Sequence, residues 1–476
     1  MIGFRRFVLV IAATLGLAAA ACAEGIFPVN DPGAGTWVFD QPSVVASGTT
    51  LHLAFVGNNA AGAFNSDGTV NTTLDTRLYY AAVNGGANFK SRTLTRPQVL
   101  VTAPVAIDNG DAYTGARHPR IAARTSTDLM ILFQAIPAGE TNYKLFRARV
   151  TLAANSVTSQ SVAEIRDAAG ARIPGKLTDP SFALVLSDNT LRIAFSSFPS
   201  LLAGSPYSDV HYARVGWEAA RVQNNTILLT RTALDNSAAS TGVSPLPRLL
   251  LDGNKFSHIV WAANNSTGNA TGIYYAMVHA VAPGVVDNLA IGATQVLSGG
   301  YRWGFPSVLL TGSRNVWIVA ADASPSGGST GLAASVGISE VNPYAVTFDG
   351  NPVNVNNVNS GSNTSFFLNP PGGSVLSESF DAYQPEVALD SQNRMQVTGY
   401  GFRSNDPPFQ GTPGRYYVMS LGSTVTGSGT SSIFANMVTS PASVGTGDAA
   451  FAVQLPGDYT RPAFFHFSGK TVQFWS

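Results

Sequence analysis

One phrase recurs seven times along the chain and constrains its fold more than any other feature. It consists of a residue followed by proline, three or four apolar residues, a short polar turn and a second apolar run. Two apolar runs joined by a polar turn predict a β-hairpin, and a proline that opens the first strand removes no required ladder donor. The prolines are spaced 59 to 79 residues apart, at Pro42, Pro119, Pro180, Pro247, Pro306, Pro385 and Pro462.

A second phrase follows most copies of the first and alternates its side chains as a strand does. Its copies are residues 78–83, 145–150, 210–215, 273–278 and, more loosely, 416–419. A weaker apolar run usually comes next, so that each period holds about four strands. Four-stranded sheets at this spacing are typical of an all-β chain folded as a β-propeller.

The two ends of the chain indicate the number of blades. There are seven first hairpins but only six following strand pairs, and the last hairpin, residues 462–476, ends the chain. Residues 25–40, which include Gly35-Thr36-Trp37-Val38-Phe39, are predicted to be the missing pair. We therefore predict seven four-stranded blades, the last built from two C-terminal and two N-terminal strands, with six and eight blades as alternatives. Such closure removes free sheet edges.

Composition narrows the classes of partner. Charged residues make up 12% of the chain, and 28 basic residues balance 28 acidic ones. A nucleic-acid-binding protein needs a surplus of Lys and Arg to neutralise phosphates, so no nucleic-acid partner is predicted. The same balance removes the argument for docking on anionic lipid.

The first 23 residues are predicted to be a bacterial secretory signal. Arg5 and Arg6 precede an apolar run over residues 7–17 and a run of small residues around Cys22. Plain secretion is favoured over a lipid anchor at Cys22, because Ala19 stands where lipoprotein signals usually carry a large aliphatic residue. No later stretch is long and apolar enough to span a membrane. Residues 24–476 are thus predicted to be one exported propeller domain, located extracellularly, in the periplasm or on the outer surface.

The two phrases resemble the repeat of bacterial sialidases and related neuraminidase-type propellers. The second phrase is similar to the strand before their Asp-box, S-x-D-x-G-x-x-W, a bacterial neuraminidase repeat. Residues 82–89, AVNGGANF, keep that spacing with Asn84 for Asp and Phe89 for Trp, and residues 31–37 are an imperfect second copy. The resemblance implies a propeller fold, and fold does not by itself imply function.

A catalytic sialidase would need three arginines around a carboxylate, an Asp acid and a Tyr–Glu nucleophile pair. The family's Tyr-Arg-x-Pro phrase is matched only out of register, by residues 301–306 and 458–462. A full arginine triad is therefore not assigned. Asp458, Tyr459, Asp381 and Tyr383 stay as candidates for a catalytic role.

Candidate ligand-binding residues cluster in the turns that lead into the first strands. In a propeller these turns share one face, around the central channel, with the turns that join second and third strands. Aromatic rings beside carboxylates and guanidinium groups suit sugars, because the ring stacks on the pyranose while polar groups meet its hydroxyls. The alternative is structural, with Asp capping the turn and Tyr packing on the next blade. The candidates are Asp111, Tyr113, Arg117, His118, Tyr301, Arg302, Trp303, Asp381, Tyr383, Asp458, Tyr459 and Arg461.

No cofactor is predicted, apart from an alternative calcium site. Asp67, Asn71 and Asp75 offer oxygen ligands, although a loop with Asn and Asp turns is the favoured explanation. We predict a non-enzymatic protein whose channel face binds a glycan or a surface protein. The alternatives are a sialidase-like exo-glycoside hydrolase and a structural subunit of a cell-surface assembly.

Overall fold

A computed structural model describes about half of the chain. The described ranges are residues 25–28, 38–47, 50–58, 76–84, 100–101, 105–107, 113–154, 156–198, 209–223, 245–252, 256–264, 271–279, 287–297, 303–310, 316–322, 336–341, 380–389, 394–403, 415–424, 433–438, 451–453, 463–468 and 471–475. Within them, no helix is long and apolar enough to cross a membrane.

The named elements of this part of the chain are all β-strands. The first ten are β1 (Gly25–Pro28), β2 (Val38–Ser47), β3 (Thr50–Asn58), β4 (Arg77–Asn84), β5 (Leu100–Val101), β6 (Val105–Ala106), β7 (Tyr113–Thr125), β8 (Asp128–Pro137), β9 (Lys144–Ala153) and β10 (Ser156–Glu164). The next ten are β11 (Lys176–Val185), β12 (Thr190–Phe198), β13 (Asp209–Gly216), β14 (Arg248–Leu251), β15 (Phe256–Asn264), β16 (Thr271–His279), β17 (Asn288–Leu297), β18 (Trp303–Leu310), β19 (Val316–Asp322) and β20 (Val336–Val341). The last are β21 (Phe380–Leu389), β22 (Arg394–Arg403), β23 (Arg415–Thr424), β24 (Ile433–Val438), β25 (Phe451–Val453), β26 (Ala463–Ser468) and β27 (Thr471–Trp475).

In the described residues these strands form seven antiparallel sheets. The first six follow the chain and are β2-β3-β4-β5 with β6 beside β4, β7-β8-β9-β10, β11-β12-β13, β14-β15-β16-β17, β18-β19-β20 and β21-β22-β23-β24. The seventh is β25-β26-β27-β1. For the described residues the predicted all-β class is confirmed, and both recurring phrases form strands where the sequence placed them.

The seventh sheet joins the two ends of the chain, but its make-up differs from the prediction. β1 pairs with β27, from Gly25 opposite Phe474 to Pro28 opposite Thr471. Val38 and Phe39, expected in this sheet, instead open β2, where their partners are residues 58 and 57 of β3. They do so because β2 begins at Val38, before Pro42, rather than at the proline. The C-terminal segment supplies a third strand, β25, which pairs with β26.

The first five sheets pack face to face in chain order, because both faces of their inner strands are apolar. In β8, Leu129, Ile131 and Phe133 join a cluster with residues of the first sheet, while Met130 and Leu132 join one with residues of the third. Alternation along a strand produces this division. Two further clusters lie between the third and fourth sheets and between the fourth and fifth. The outermost strand of the second sheet, β10, is largely exposed.

The first strands of neighbouring sheets also contact one another. β2 contacts β7, β7 contacts β11, β11 contacts β14, β14 contacts β18, β18 contacts β21, β21 contacts β25, and β25 and β26 contact β2. These contacts follow the chain order through the first strands of six sheets and close through β25 and β26 of the seventh.

The residue before the recurring proline, here called the pre-proline position, has an unusual backbone in the first four copies of the phrase. Gln41, His118, Asp179 and Leu246 have φ values of 53°, 49°, 55° and 44°. Positive φ is uncommon for residues other than glycine, and a residue before proline normally adopts an extended conformation. At the pre-proline positions of β2, β7, β11, β18 and β21, the pairing register with the second strand shifts, as in a β-bulge. A bulge bends its strand and redirects a side chain.

A buried ion pair joins the third and fourth sheets. Arg214 of β13 donates to both oxygens of Asp287, which precedes β17, and the Tyr212 hydroxyl donates to the same carboxylate at 2.9 Å. All three side chains are buried. Removing one partner of a buried pair leaves an uncompensated charge, which is costly.

We predict that Asp287→Ala lowers the free energy of unfolding by about 3–5 kcal/mol, measured by denaturant unfolding. Glu218→Gln is the control, because Glu218 is 72% exposed in its ion pair with Arg149. That change should cost about 1 kcal/mol or less. Equal effects of the two substitutions would contradict a stabilising role for the buried pair.

Two of the sheets carry a buried His–Tyr pair between their second and third strands. The His52 ring nitrogen Nδ1 and the Tyr80 hydroxyl share a hydrogen bond of 2.7 Å, and His258 and Tyr275 share one of 2.8 Å. Burial lowers the pKa of His52 from 6.5 to about 4, so its ring is neutral in the folded protein at neutral pH.

We predict that the free energy of unfolding falls in acid and that the burial of His52 causes this fall. Between pH 6.5 and about 4 the unfolded chain binds a proton at this position and the folded chain does not. Stability from His52 is therefore complete above pH 6.5 and falls by about 3 kcal/mol as the pH drops to 4. Unfolding midpoints measured across this range should flatten in His52→Gln. Tyr80→Phe should keep the slope, because burial rather than the Tyr80 hydrogen bond causes the shift; a flat profile in Tyr80→Phe would contradict this cause.

Candidate functional site

The pre-proline positions of the first three sheets are linked through their side chains. The Gln41 side-chain oxygen accepts a hydrogen bond from the His118 backbone N–H at 2.7 Å, and His118 Nδ1 lies 2.8 Å from Asp179 Oδ1. The Asp179 N–H donates to the Gln134 side chain at 2.6 Å. His118 is 29% exposed and Asp179 7%, so the histidine is the accessible member of the pair. His118 was predicted from the sequence, whereas Gln41 and Asp179 were not.

Serine side chains next to these positions fix how the first strands align. Ser43 Oγ accepts the Ile121 N–H at 3.1 Å, across the first and second sheets. Ser181 Oγ accepts the Leu249 N–H at 2.9 Å, across the third and fourth sheets. Each serine follows its proline directly, so these hydrogen bonds align the pre-proline positions of β2 with β7 and of β11 with β14.

Arg117, the neighbour of His118, lies against an aromatic ring that the sequence analysis missed. Its guanidinium carbon is 5.5 Å from the centroid of the Tyr143 ring, and Lys176 Nζ is 5.7 Å from the same centroid. Tyr143 lies in the turn between β8 and β9, and Lys176 opens β11. Turns between second and third strands share a face with the entering turns in a propeller. The β8–β9 turn is such a turn, so its position could have indicated Tyr143 as a candidate.

The ring of Tyr143, rather than its hydroxyl, meets these cations. The hydroxyl is buried and has no hydrogen-bond partner among the described residues. A Cβ at Gly115 would lie 3.6 Å from it, because the hydroxyl points at the β7 backbone. Burial raises the pKa of Tyr143 and the positive charge of Arg117 opposes that rise, so the phenol is protonated at neutral pH.

Tyr113, a predicted ligand-binding residue, is fully buried instead. Its hydroxyl donates to the Ile107 carbonyl, and its ring packs on Phe133 and Phe146 with centroids 5.1 and 5.6 Å apart. The side chain is not accessible to a ligand in this structure. Tyr113 therefore fits the structural alternative, in which the tyrosine packs inside the fold, because its whole ring lies in the core between the first two sheets.

The other predicted positions are described only in backbone or not at all. Trp303 opens β18, and Asp381 and Tyr383 lie in β21, beside a shift in its pairing with β22. The remaining positions lie outside the described residues, and these are Cys22, Asp67, Asn71, Asp75, Asp111, Tyr301, Arg302, Asp458, Tyr459 and Arg461. In the described part of the chain, no group of three His, Cys, Asp or Glu side chains is placed to hold a metal ion.

A Ser–His–Asp grouping in the third sheet does not have the geometry of a nucleophilic triad. Ser197 Oγ and His211 Nε2 are 2.8 Å apart, and Asp209 approaches the same Nε2 at 3.9 Å. In a triad the carboxylate binds the opposite ring nitrogen and orients the histidine. All three side chains are buried, so a substrate does not reach the serine.

Comparison with known proteins gives distant likenesses in structure. No protein-family model and no curated protein matches the chain. An ulvan lyase from a new polysaccharide lyase family, bound to an oligosaccharide, is 8% identical, with a TM-score of 0.48 over 95% of this chain and 94% of that chain. A Dyadobacter fermentans protein of unknown function is 13% identical, with a TM-score of 0.44 over 78% and 96%. An endo-arabinase from Bacteroides thetaiotaomicron is 12% identical, with a TM-score of 0.36 over 66% and 95%. At these values the likenesses carry no conclusion about the function of this chain.

The contrast between Tyr113 and Tyr143 can be tested by removing each hydroxyl. Tyr113→Phe should lower the free energy of unfolding by about 1–3 kcal/mol, because it leaves the buried Ile107 carbonyl without that donor. Tyr143→Phe removes a hydroxyl that makes no hydrogen bond in the described structure, and we expect a change within about 0.5 kcal/mol. Denaturant unfolding measures both, and a larger loss in Tyr143→Phe than in Tyr113→Phe would contradict this assignment.

Proposed function

We propose that this chain is an exported seven-bladed β-propeller that binds a glycan on its channel face without cleaving it. The cycle of first-strand contacts and the pairing of β1 with β27 support the blade count. In this proposal residues 24–476 form the propeller, residues 1–23 direct its export, and the first strands surround the channel.

The linked pre-proline positions are the observation that carries the proposal. Gln41, His118 and Asp179 hold left-handed backbones on adjacent first strands and place polar side chains where those strands meet. Strained backbone persists only where the surrounding structure imposes it, and it concentrates at ligand sites. Leu246 continues the same series with an apolar side chain.

A mixed polar and apolar lining suits a sugar ring. A pyranose presents hydroxyls at its edge and C–H groups on its faces, so it needs both kinds of contact. His118 is the accessible one of these side chains, and its ring can donate to or accept from a sugar hydroxyl, while the buried Asp179 carboxylate contacts that ring from the adjacent strand. By sequence position, Phe305, Gln384 and Arg461 complete the series in the remaining blades.

The test measures binding and sugar release in the same samples. The purified protein is incubated with a panel of sialylated and neutral glycans, and bound glycan and free monosaccharide are both quantified. We expect binding without release, and a loss of at least tenfold in affinity in His118→Ala, whose folding is checked by its unfolding midpoint. Ser126→Ala is the control, since Ser126 lies in the exposed β7–β8 turn.

Two results would overturn the proposal. Release of a terminal sugar that is lost in Tyr459→Phe or Asp458→Asn would make the protein a sialidase-like hydrolase. Absence of both binding and release across the panel would favour a protein partner or a structural role in a surface assembly.

A further inference from the structure

Leu246 is the apolar member of the four pre-proline positions that have a left-handed backbone. Its φ is 44°, and the three positions before it in the series carry Gln41, His118 and Asp179. Asparagine and aspartate tolerate such a backbone best, because their short polar side chains can form a local hydrogen bond. A leucine gains no such bond, so the surrounding structure imposes this conformation on Leu246.

Two neighbouring strands hold the segment that carries Leu246. The Pro245 carbonyl accepts the Ala262 N–H of β15 at 2.9 Å, and the Leu249 N–H donates to Ser181 of β11 at 2.9 Å. The second bond runs from a serine directly after one proline to the second residue after the next, as the matching bond between β2 and β7 does. The pre-proline position of β14 therefore lies beside that of β11 as that of β7 lies beside that of β2.

The core between the sheets does not take up the Leu246 side chain. Leu246 is half-buried and belongs to none of the four apolar clusters that the described residues form between sheets. Leu249, three positions further along, is a member of the cluster between the third and fourth sheets. Leu246 thus offers apolar surface at the pre-proline position itself.

The polar contacts of the series end at Asp179. One of its carboxylate oxygens lies 2.8 Å from His118 Nδ1, and the other accepts the Thr178 hydroxyl at 3.0 Å. Its N–H donates to Gln134, so the residue is committed to contacts within the fold. A ligand that meets the accessible His118 and extends past Asp179 therefore meets carbon at Leu246.

We infer that Leu246 contacts the C6 methyl group of a 6-deoxyhexose. This inference rests on the proposed function and names its substrate class. A hydroxymethyl group at this place would lose hydrogen bonds to water without a replacement, whereas a methyl group buries apolar surface. An acetamido group also ends in a methyl, but its N–H and C=O need partners of their own. A 6-deoxyhexose supplies an apolar substituent that carries no polar atom.

The experiment uses sugar pairs that differ only at C6. The purified protein is titrated with soluble polymers that carry α-L-fucose or α-L-galactose, and with polymers that carry α-L-rhamnose or α-L-mannose on the same spacer. Each pair exchanges a methyl group for a hydroxymethyl group. We expect at least tenfold tighter binding of the 6-deoxy member of one pair, a ratio within the reach of an apolar contact. The pair that shows the preference identifies the ring stereochemistry.

Variants assign the preference to Leu246. Leu246→Asn should reduce it to less than twofold and keep the unfolding midpoint, because asparagine accepts a left-handed backbone. Leu246→Met keeps an apolar side chain at this place and should keep the preference. Leu186→Asn is the matched control, since Leu186 is 56% exposed in the β11–β12 turn, and it should change neither affinity.

The outcomes separate the two proposals. Equal binding of both members in each pair, or a preference that survives in Leu246→Asn, overturns the inference and leaves glycan binding in place. Binding of other glycans in the wider panel without binding of either pair does the same. Binding of no glycan in either experiment overturns both.

Discussion

The pre-proline bulge is the constraint on which the arrangement of the sheets depends. Proline supplies no N–H, so at this point the first strand makes no ladder bond and its register with the second strand shifts. In the first four copies the residue before it takes a left-handed backbone, and such a bulge bends its strand and redirects a side chain. Where a serine follows the proline, as Ser43 and Ser181 do, its Oγ accepts an N–H from the adjacent first strand. One local phrase thereby sets both the pairing within a sheet and the contact between sheets.

Between the sheets, apolar packing supplies most of the stability, and polar pairs supply the specificity of alignment. Two faces lined by Leu, Ile, Val and Phe pack adequately at more than one offset, because the hydrophobic effect is non-directional. The link from Arg214 and Tyr212 to Asp287 is satisfied at one alignment only. In a chain with 12% charged residues, a buried ion pair between sheets is a conspicuous use of charge.

The sequence predicted the repeating fold well because the signals were local. The proline, the polar turn and, in most periods, the alternating third strand lie close together, and the apolar runs on either side of the turns form strands. The Arg214–Asp287 contact joins residues 73 positions apart, and no short sequence pattern predicts it. Tyr113 was assigned to a ligand face by the company of Asp111 and Arg117, yet β7 begins at Tyr113 and turns its ring into the core. Tyr143 and Lys176 were missed because neither belongs to a recurring phrase, and only the fold brings them to Arg117.

Net charge and local charge answer different questions about partners. Zero net charge argues against a polyanion such as a nucleic acid, which makes many phosphate contacts along an extended surface. Local charge is set by the fold, which brings Arg117 and Lys176 from separate strands to the ring of Tyr143. Lys144, which follows Tyr143 in the sequence, is instead bound to the backbone carbonyls of Ile173 and Gly175. A chain that is neutral overall can therefore concentrate positive charges that its sequence disperses.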